Sequence, residues 1–198
     1  MKKIIIVRHG QTNSNAEGLT QGQIDTDLNT IGIEQAKKAG TFIRNNYNII
    51  EAWASDLKRT QQTAKEIIKD FKTSELLREM SFGKWENHLF KNIISEYPEL
   101  VKEYSNASEK FKAPDGESFE DMHVRSINFL KKINMNDQKE ILIVSHGGFM
   151  RVFLCSILGL PKRNLLNFQF ENCSITEIIK YENKEPILTK INYTDHLE

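Results

Sequence analysis

At 198 residues, with 39% hydrophobic and 27% charged side chains, the chain has room for one sizeable core and the balance of an ordinary soluble protein. Its 27 basic residues are matched by 27 acidic ones, and no basic run carries interleaved aromatics, so a nucleic-acid partner is not expected. No apolar run approaches the roughly 18 residues of a membrane span, no signal peptide precedes the first strand, and Cys155 and Cys173 lack CxxC spacing. The expectation is a cytoplasmic protein with reduced core thiols and no membrane contact.

Ile4-Ile5-Ile6-Val7 is an unbroken β-branched run, the pattern of a strand buried on both faces. It stops at Arg8-His9-Gly10, followed by small polar residues through Asn15 and a long polar connection from Gly18 to Asn29. Thr30 is expected to cap a helix with the stripe Ile33, Ala36, Ala39, Gly40 and Ile43. Glu51 to Ser55 reads as a second strand, and Ser55 as the cap of a helix running through Phe71. Thr73 to Arg78 reads as extended, ending in Glu79. From about residue 80 to 116 the pattern weakens, with a helix near Phe90 to Tyr97 and a second after Pro98. That stretch is expected to be a helical cap inserted into a single domain spanning residues 1–198. Ser118 to Ile133 is an amphipathic helix, Glu140 to Ser145 a second buried strand, and Phe149 to Leu158 a helix. Two late strands, Ser174 to Lys180 and Ile187 to Tyr193, complete the sheet. This alternation predicts an α/β fold, a three-layer sandwich with a mostly parallel central sheet flanked by helices.

Both buried strands end in histidine followed by glycine, at His9-Gly10 and His146-Gly147. In open α/β sheets ligands bind at the carboxyl ends of the strands, so two such ends lying side by side would face both rings into one site. Arg8 and Arg59 would supply guanidinium groups there, Arg59 near a helix N-terminus that itself favours an anion. Glu79 follows an extended segment beside a loop with Gly83 and Trp85. These residue types suit phosphoryl transfer through histidine. A neutral imidazole is a competent nucleophile at pH 7. Arg8, Arg59 and His146 would clamp the phosphoryl oxygens, Asn15 could add a neutral donor, and Glu79 would protonate the departing oxygen. The plainer reading of the first segment is a polar turn after a strand, with His9 merely hydrogen-bonded. No HxH, HExxH or Cys/His cluster points to a metal, no cofactor is called for, and no P-loop motif is present.

Arg8-His9-Gly10 with Thr12 and Asn15 resembles the opening motif of the histidine phosphatase superfamily, the phosphoglycerate mutase-like clan. Six further segments resemble that family in order. They are Gly22-x-x-Asp25 with Leu28, Ser55 to Ala64 around Arg59, Leu77 to Glu86 around Glu79, Gly116-Glu117-Ser118, Ser145 to Arg151 around His146, and Asn172 to Ile175. The resemblance implies a phosphohistidine at His9, with Arg8, Arg59 and His146 around the phosphate, Glu79 as proton donor, and Gln21 and Gly22 on the substrate side. The family often has proline where Asp56 stands, and commonly glycine and a small hydroxyl residue where Asn87-His88 stand.

The expected activity is hydrolysis of a small soluble phosphomonoester. A 2,3-bisphosphoglycerate-dependent phosphoglycerate mutase is the first rival, disfavoured because residues 86–115 contain no arginine to hold a substrate carboxylate. A non-enzymatic scaffold binding phosphorylated ligands is the second. The substrate stays open among α-ribazole phosphate, phosphosugars, 3-phosphoglycerate and phosphoserine, and a homodimer is compatible with the sequence. Arg125 reads as a helix-face ion-pair partner, Arg151 as a brace of the second histidine loop, and Trp85 equally as core anchor or pocket wall.

Overall fold

The computed structural model describes residues 1–133 and 139–198. Six strands form one sheet in the order β3-β2-β4-β1-β5-β6. These are β1 (Lys2–Arg8), β2 (Ile49–Ala54), β3 (Lys72–Thr73), β4 (Glu140–Ser145), β5 (Ile175–Lys180) and β6 (Ile187–Tyr193). The first four are mutually parallel, and β5 and β6 add an antiparallel edge. The pleat of β1 divides the core. Ile5 and Val7 face helices α2 (Thr30–Asn46) and α3 (Lys58–Ile67), while Ile4 and Ile6 face α6 (Phe119–Lys132) and α7 (Gly147–Ile157). Both faces of the sheet are covered, which is why β1 and β4 read as continuous apolar runs.

Several boundaries differ from the sequence reading. Asn29, not Thr30, caps α2: its backbone is extended and its Oδ1 accepts from the Gly32 N–H at 2.8 Å. Ile33 is 38% exposed, and Gly32 takes its place on the buried face. Ser55 is not the cap of α3. The helix starts three residues later, its Lys58 N–H donating to Asp25 Oδ1 at 2.6 Å, and it ends at Ile67 because Ile68 turns extended. The stretch after Phe71 is a two-residue strand followed by a 3-10 turn at Glu75–Leu77, not one extended segment. Helix α7 begins at Gly147, directly on the second histidine. Ser118 does cap α6, reciprocally with Asp121.

Residues 80–116 carry a 3-10 turn at Gly83–Trp85 and helices α4 (Phe90–Glu96) and α5 (Pro98–Ser105). Trp85, Tyr104, Phe111 and Phe119 pack ring against ring, and their cluster continues into the core between the sheet and α6–α7. After β1, helix α1 (Asn13–Glu17) is closed by a capping box between Thr12 and Asn15.

The turn after His9 is pressed onto α2. A Cβ on Gly32 would lie 2.1 Å from the Gln11 carbonyl oxygen, and one on Gly10 2.4 Å from the Gly32 oxygen. Two backbones in contact cannot yield as a side chain can. Gly32→Ala is therefore expected to destabilise the fold by about 1–3 kcal/mol, read as a lower urea midpoint at unchanged slope.

Candidate active site

The parallel register of β1 and β4 sets the site. Arg8 lies opposite Ser145, and the His9 N–H donates to the Ser145 carbonyl at 2.9 Å. The next residues, His9 and His146, therefore leave adjacent strands side by side, with ring centroids 5.2 Å apart. The His9 turn is held from three sides. The Gly10 N–H donates to Thr63 Oγ1 on α3, Asn172 Nδ2 donates to the His9 carbonyl, and the Cys173 N–H donates to the Arg8 carbonyl.

The hydrogen bonds fix both tautomers. His9 Nδ1 lies 2.7 Å from the Gly10 carbonyl, which can only accept, so Nδ1 carries the proton and Nε2 presents a lone pair. Arg59 Nε is 3.2 Å from His146 Nδ1 and can only donate, so His146 carries its proton on Nε2. That buried Nε2 has no partner among the described residues, and neither does the buried Arg8 Nε. Arg8 Nη1 donates to the Phe170 carbonyl at 2.7 Å. Arg59 Nη1 and Nη2 donate to the Ile24 and Gly22 carbonyls at 2.7 and 2.8 Å.

Charge agrees with this geometry. Burial, then the Arg59 and Arg8 charges, hold His9 well below the ordinary histidine value. His146 is depressed by burial and by the same arginines. Burial lowers Arg59 to about 10, a value at which it is still cationic near neutrality. Two neutral rings thus sit beside two desolvated cations.

Glu79 closes the other side. Its Oε1 accepts from the Met80 and Phe149 N–H groups and its Oε2 from Gly148, at 2.9–3.0 Å. Two of these donors belong to the first turn of α7, which favours a carboxylate there. Arg125 anchors the approach to Glu79. It donates to the Leu76, Arg78 and Glu79 carbonyls and pairs with Glu117 through Nε and Nη2. It does far more than the helix-face ion pair expected of it.

Arg8, His9, Asn15, Gln21, Arg59 and Glu79 line one cavity of about 250 Å³, walled by Phe82, Trp85, Phe90, Tyr104 and Phe170. His146 lies behind this wall, and Gly22 is not part of it, serving instead through its carbonyl on Arg59. Asn15 Oδ1 takes the Thr12 N–H and an Asn172 Nδ2 hydrogen, which leaves its own amide hydrogens to offer. Trp85 is both things weighed for it, fully buried and part of the wall. His88 is exposed and outside the cavity.

A family model described as histidine phosphatase superfamily (branch 1) matches residues 4–194. The chain belongs to that superfamily. It is 31% identical to phosphoserine phosphatase 1 of Hydrogenobacter thermophilus over 204 residues, covering 100% of this chain and 95% of that protein. It is 35% identical to a probable phosphoglycerate mutase of Yersinia pestis over 184 residues, covering 90% and 85%. The structure of Entamoeba histolytica phosphoserine phosphatase in complex with 3-phosphoglyceric acid superposes with a TM-score of 0.85 at 29% identity, covering all of both chains.

The two departures from the family pattern each have a structural setting in this histidine phosphatase. Asn87 has φ +62°, the left-handed region that a glycine there enters freely and asparagine tolerates. Asp56 pairs bidentately with Arg78, tying the start of α3 to the segment that ends in Glu79. The sequence reading missed the wall residues Leu19, Thr20, Phe82, Phe90, Tyr104, Arg151 and Phe170. Only Arg151 carried a signal, as one of seven arginines in a lysine-rich chain.

The depressed histidines make stability pH-dependent. In the unfolded chain both rings gain protons as pH falls through about 6.5, while in the fold they stay neutral. The unfolded state binds more protons there, so stability is lost on acidification and regained above pH 6.5. Stability to urea should be lower at pH 5.5 than at pH 7.5, by on the order of 1 kcal/mol for each ring. A His9→Asn, His146→Asn double variant should lose most of that difference.

Proposed function

We propose that this protein hydrolyses a small phosphomonoester through a phosphohistidine on His9. One observation carries the reading. His9 presents a lone pair on Nε2, and the neighbouring His146 Nε2 and Arg8 Nε are buried donors without a partner among the described residues, in a region of desolvated positive charge. A phosphoryl group supplies both the electrophile and the acceptors that this arrangement lacks.

In the first step His9 Nε2 attacks phosphorus and the bond to the leaving oxygen breaks. Arg8, Arg59, His146 and Asn15 take the charge on the phosphoryl oxygens, so guanidinium and imidazole supply what a metal would otherwise bring. Glu79 gives its proton to the leaving oxygen. In the second step Glu79 takes a proton from water, which attacks the phosphohistidine and releases phosphate. Residues 80–116 serve as the cap that covers the site, and the free thiols Cys155 and Cys173 accord with a cytoplasmic setting.

A mutase remains the second reading, because one relative at 35% identity bears that name. Incubation in EDTA with a panel of phosphomonoesters, and with 3-phosphoglycerate with and without 2,3-bisphosphoglycerate, separates the two. Phosphate release without isomer formation is expected; isomer formation dependent on the bisphosphate would establish the mutase. His9→Ala should abolish turnover and preserve the fold. Glu79→Gln should slow alkyl phosphates by about 10²–10⁴-fold and nitrophenyl phosphate, whose leaving group needs little protonation, far less. Equal losses on both would refute the acid role.

A further inference from the structure

Arg151 lines the same cavity as Arg8, His9 and Glu79 and has no part in the chemistry proposed above. Arg151 lies three residues beyond Gly148 on α7, on the helix face whose first N–H groups hold Glu79. Its Nε donates to the Phe168 carbonyl at 2.9 Å, which fixes the plane of the guanidinium. Nη1 and Nη2 pair with no carboxylate among the described residues. The Tyr104 hydroxyl of α5 faces the group, and burial keeps that phenol neutral. Phe82, Phe90 and Phe170 line the same cavity. Arg151 is also near enough to Arg8 for the two charges to repel. An arginine held by the Phe168 carbonyl and the Tyr104 hydroxyl, paired with no carboxylate among the described residues and facing a cavity, is suited to take an anion.

We infer that Arg151 binds a carboxylate of the substrate, which makes the substrate a short-chain phosphomonoester bearing a carboxylate a few bonds from its phosphate. This rests on the phosphatase reading above. A ligand with an anion at each end relieves the repulsion between Arg8 and Arg151. The cavity, about 250 Å³, lies below the roughly 300–1,000 Å³ of pockets for drug-sized ligands, which suits a small ligand. Phosphoserine and 3-phosphoglycerate, the compounds named with the superposed structure, both have this form. The missing arginine in residues 86–115 therefore does not leave the site without a carboxylate clamp, because α7 supplies one.

The test is kcat/KM on matched pairs that differ in the carboxylate: phosphoserine against phosphoethanolamine, and 3-phosphoglycerate against glycerol 3-phosphate. Nitrophenyl phosphate reports the chemical step. The wild-type enzyme should prefer the acid in each pair. Arg151→Met should lower kcat/KM for the acids about 10- to 100-fold more than for their partners, mainly through KM, as expected for a lost hydrogen bond to a charged group. Arg151→Lys should recover part of the loss. Equal losses within each pair, or a wild-type enzyme indifferent to the carboxylate, would overturn the assignment while leaving the phosphatase intact. Failure of the wild type to release phosphate from any ester would instead overturn the phosphatase reading, and this inference with it. Should Arg151→Met not fold, the Lys variant and the wild-type preference decide the matter.

Discussion

Everything in the site depends on the parallel pairing of β1 with β4. The hydrogen bond from the His9 N–H to the Ser145 carbonyl is the last rung of that ladder. Beyond it each chain leaves the sheet, one into a turn and the other into α7. A slip of one residue would send one ring to the opposite face of the sheet. The register is protected because both faces are buried: Ile5, Val7, Leu142 and Val144 on one side, Ile4, Ile6, Ile141 and Ile143 on the other. The core thus does more than stabilise the fold, since it fixes where two imidazoles meet.

The electrostatic arrangement is costly without a ligand and suited to an anion with one. Burying Arg8 and Arg59 beside two neutral rings removes water from the cations, and their main-chain carbonyl partners return only dipoles. Each unpartnered donor in such surroundings costs about 1–3 kcal/mol. The same features hold the histidines in the protonation states the chemistry needs. Arg59 also sets the tautomer of His146 through its Nε.

Residues far apart in the chain tie the loops of the site together. Glu86 Oε1 accepts from the Gln23 and Phe82 N–H groups, and Asn87 and His88 exchange backbone hydrogen bonds with Thr20. The stretch bearing Glu86 to His88 is thereby sewn to the loop that follows the nucleophile. A Cβ on Gly22 would strike the Glu86 carboxylate, so close contact between these two loops requires glycine. Asp25, from the same loop, caps α3, and the carbonyls of Gly22 and Ile24 hold the arginine that α3 carries. Loop, helix and the segment bearing Glu86 form one connected polar network around Arg59.

The sequence by itself determined the layered α/β class and both buried strands, and it singled out His9, His146, Arg8, Arg59 and Glu79 as candidates, because these depend on local patterns. A β-branched run marks a strand, and a histidine-glycine pair at its end marks a turn with a reactive side chain. The helix limits were less legible. Asn29 and Asp25 cap α2 and α3, and the Asp25 cap comes from 33 residues away, beyond the reach of any local rule. The tertiary structure alone decided the tautomers, which depend on partners separated by 87 residues in one case, and the task of Arg125, whose three carbonyl acceptors lie near Glu79. It alone decided the far wall of the cavity. Arg151, Tyr104 and Phe170 come from three separate elements, and only packing against α7 brings them to one surface. Local spacing specifies which groups a chain carries; long-range contacts specify which of them share a site, since side chains distant in sequence meet only when the core closes.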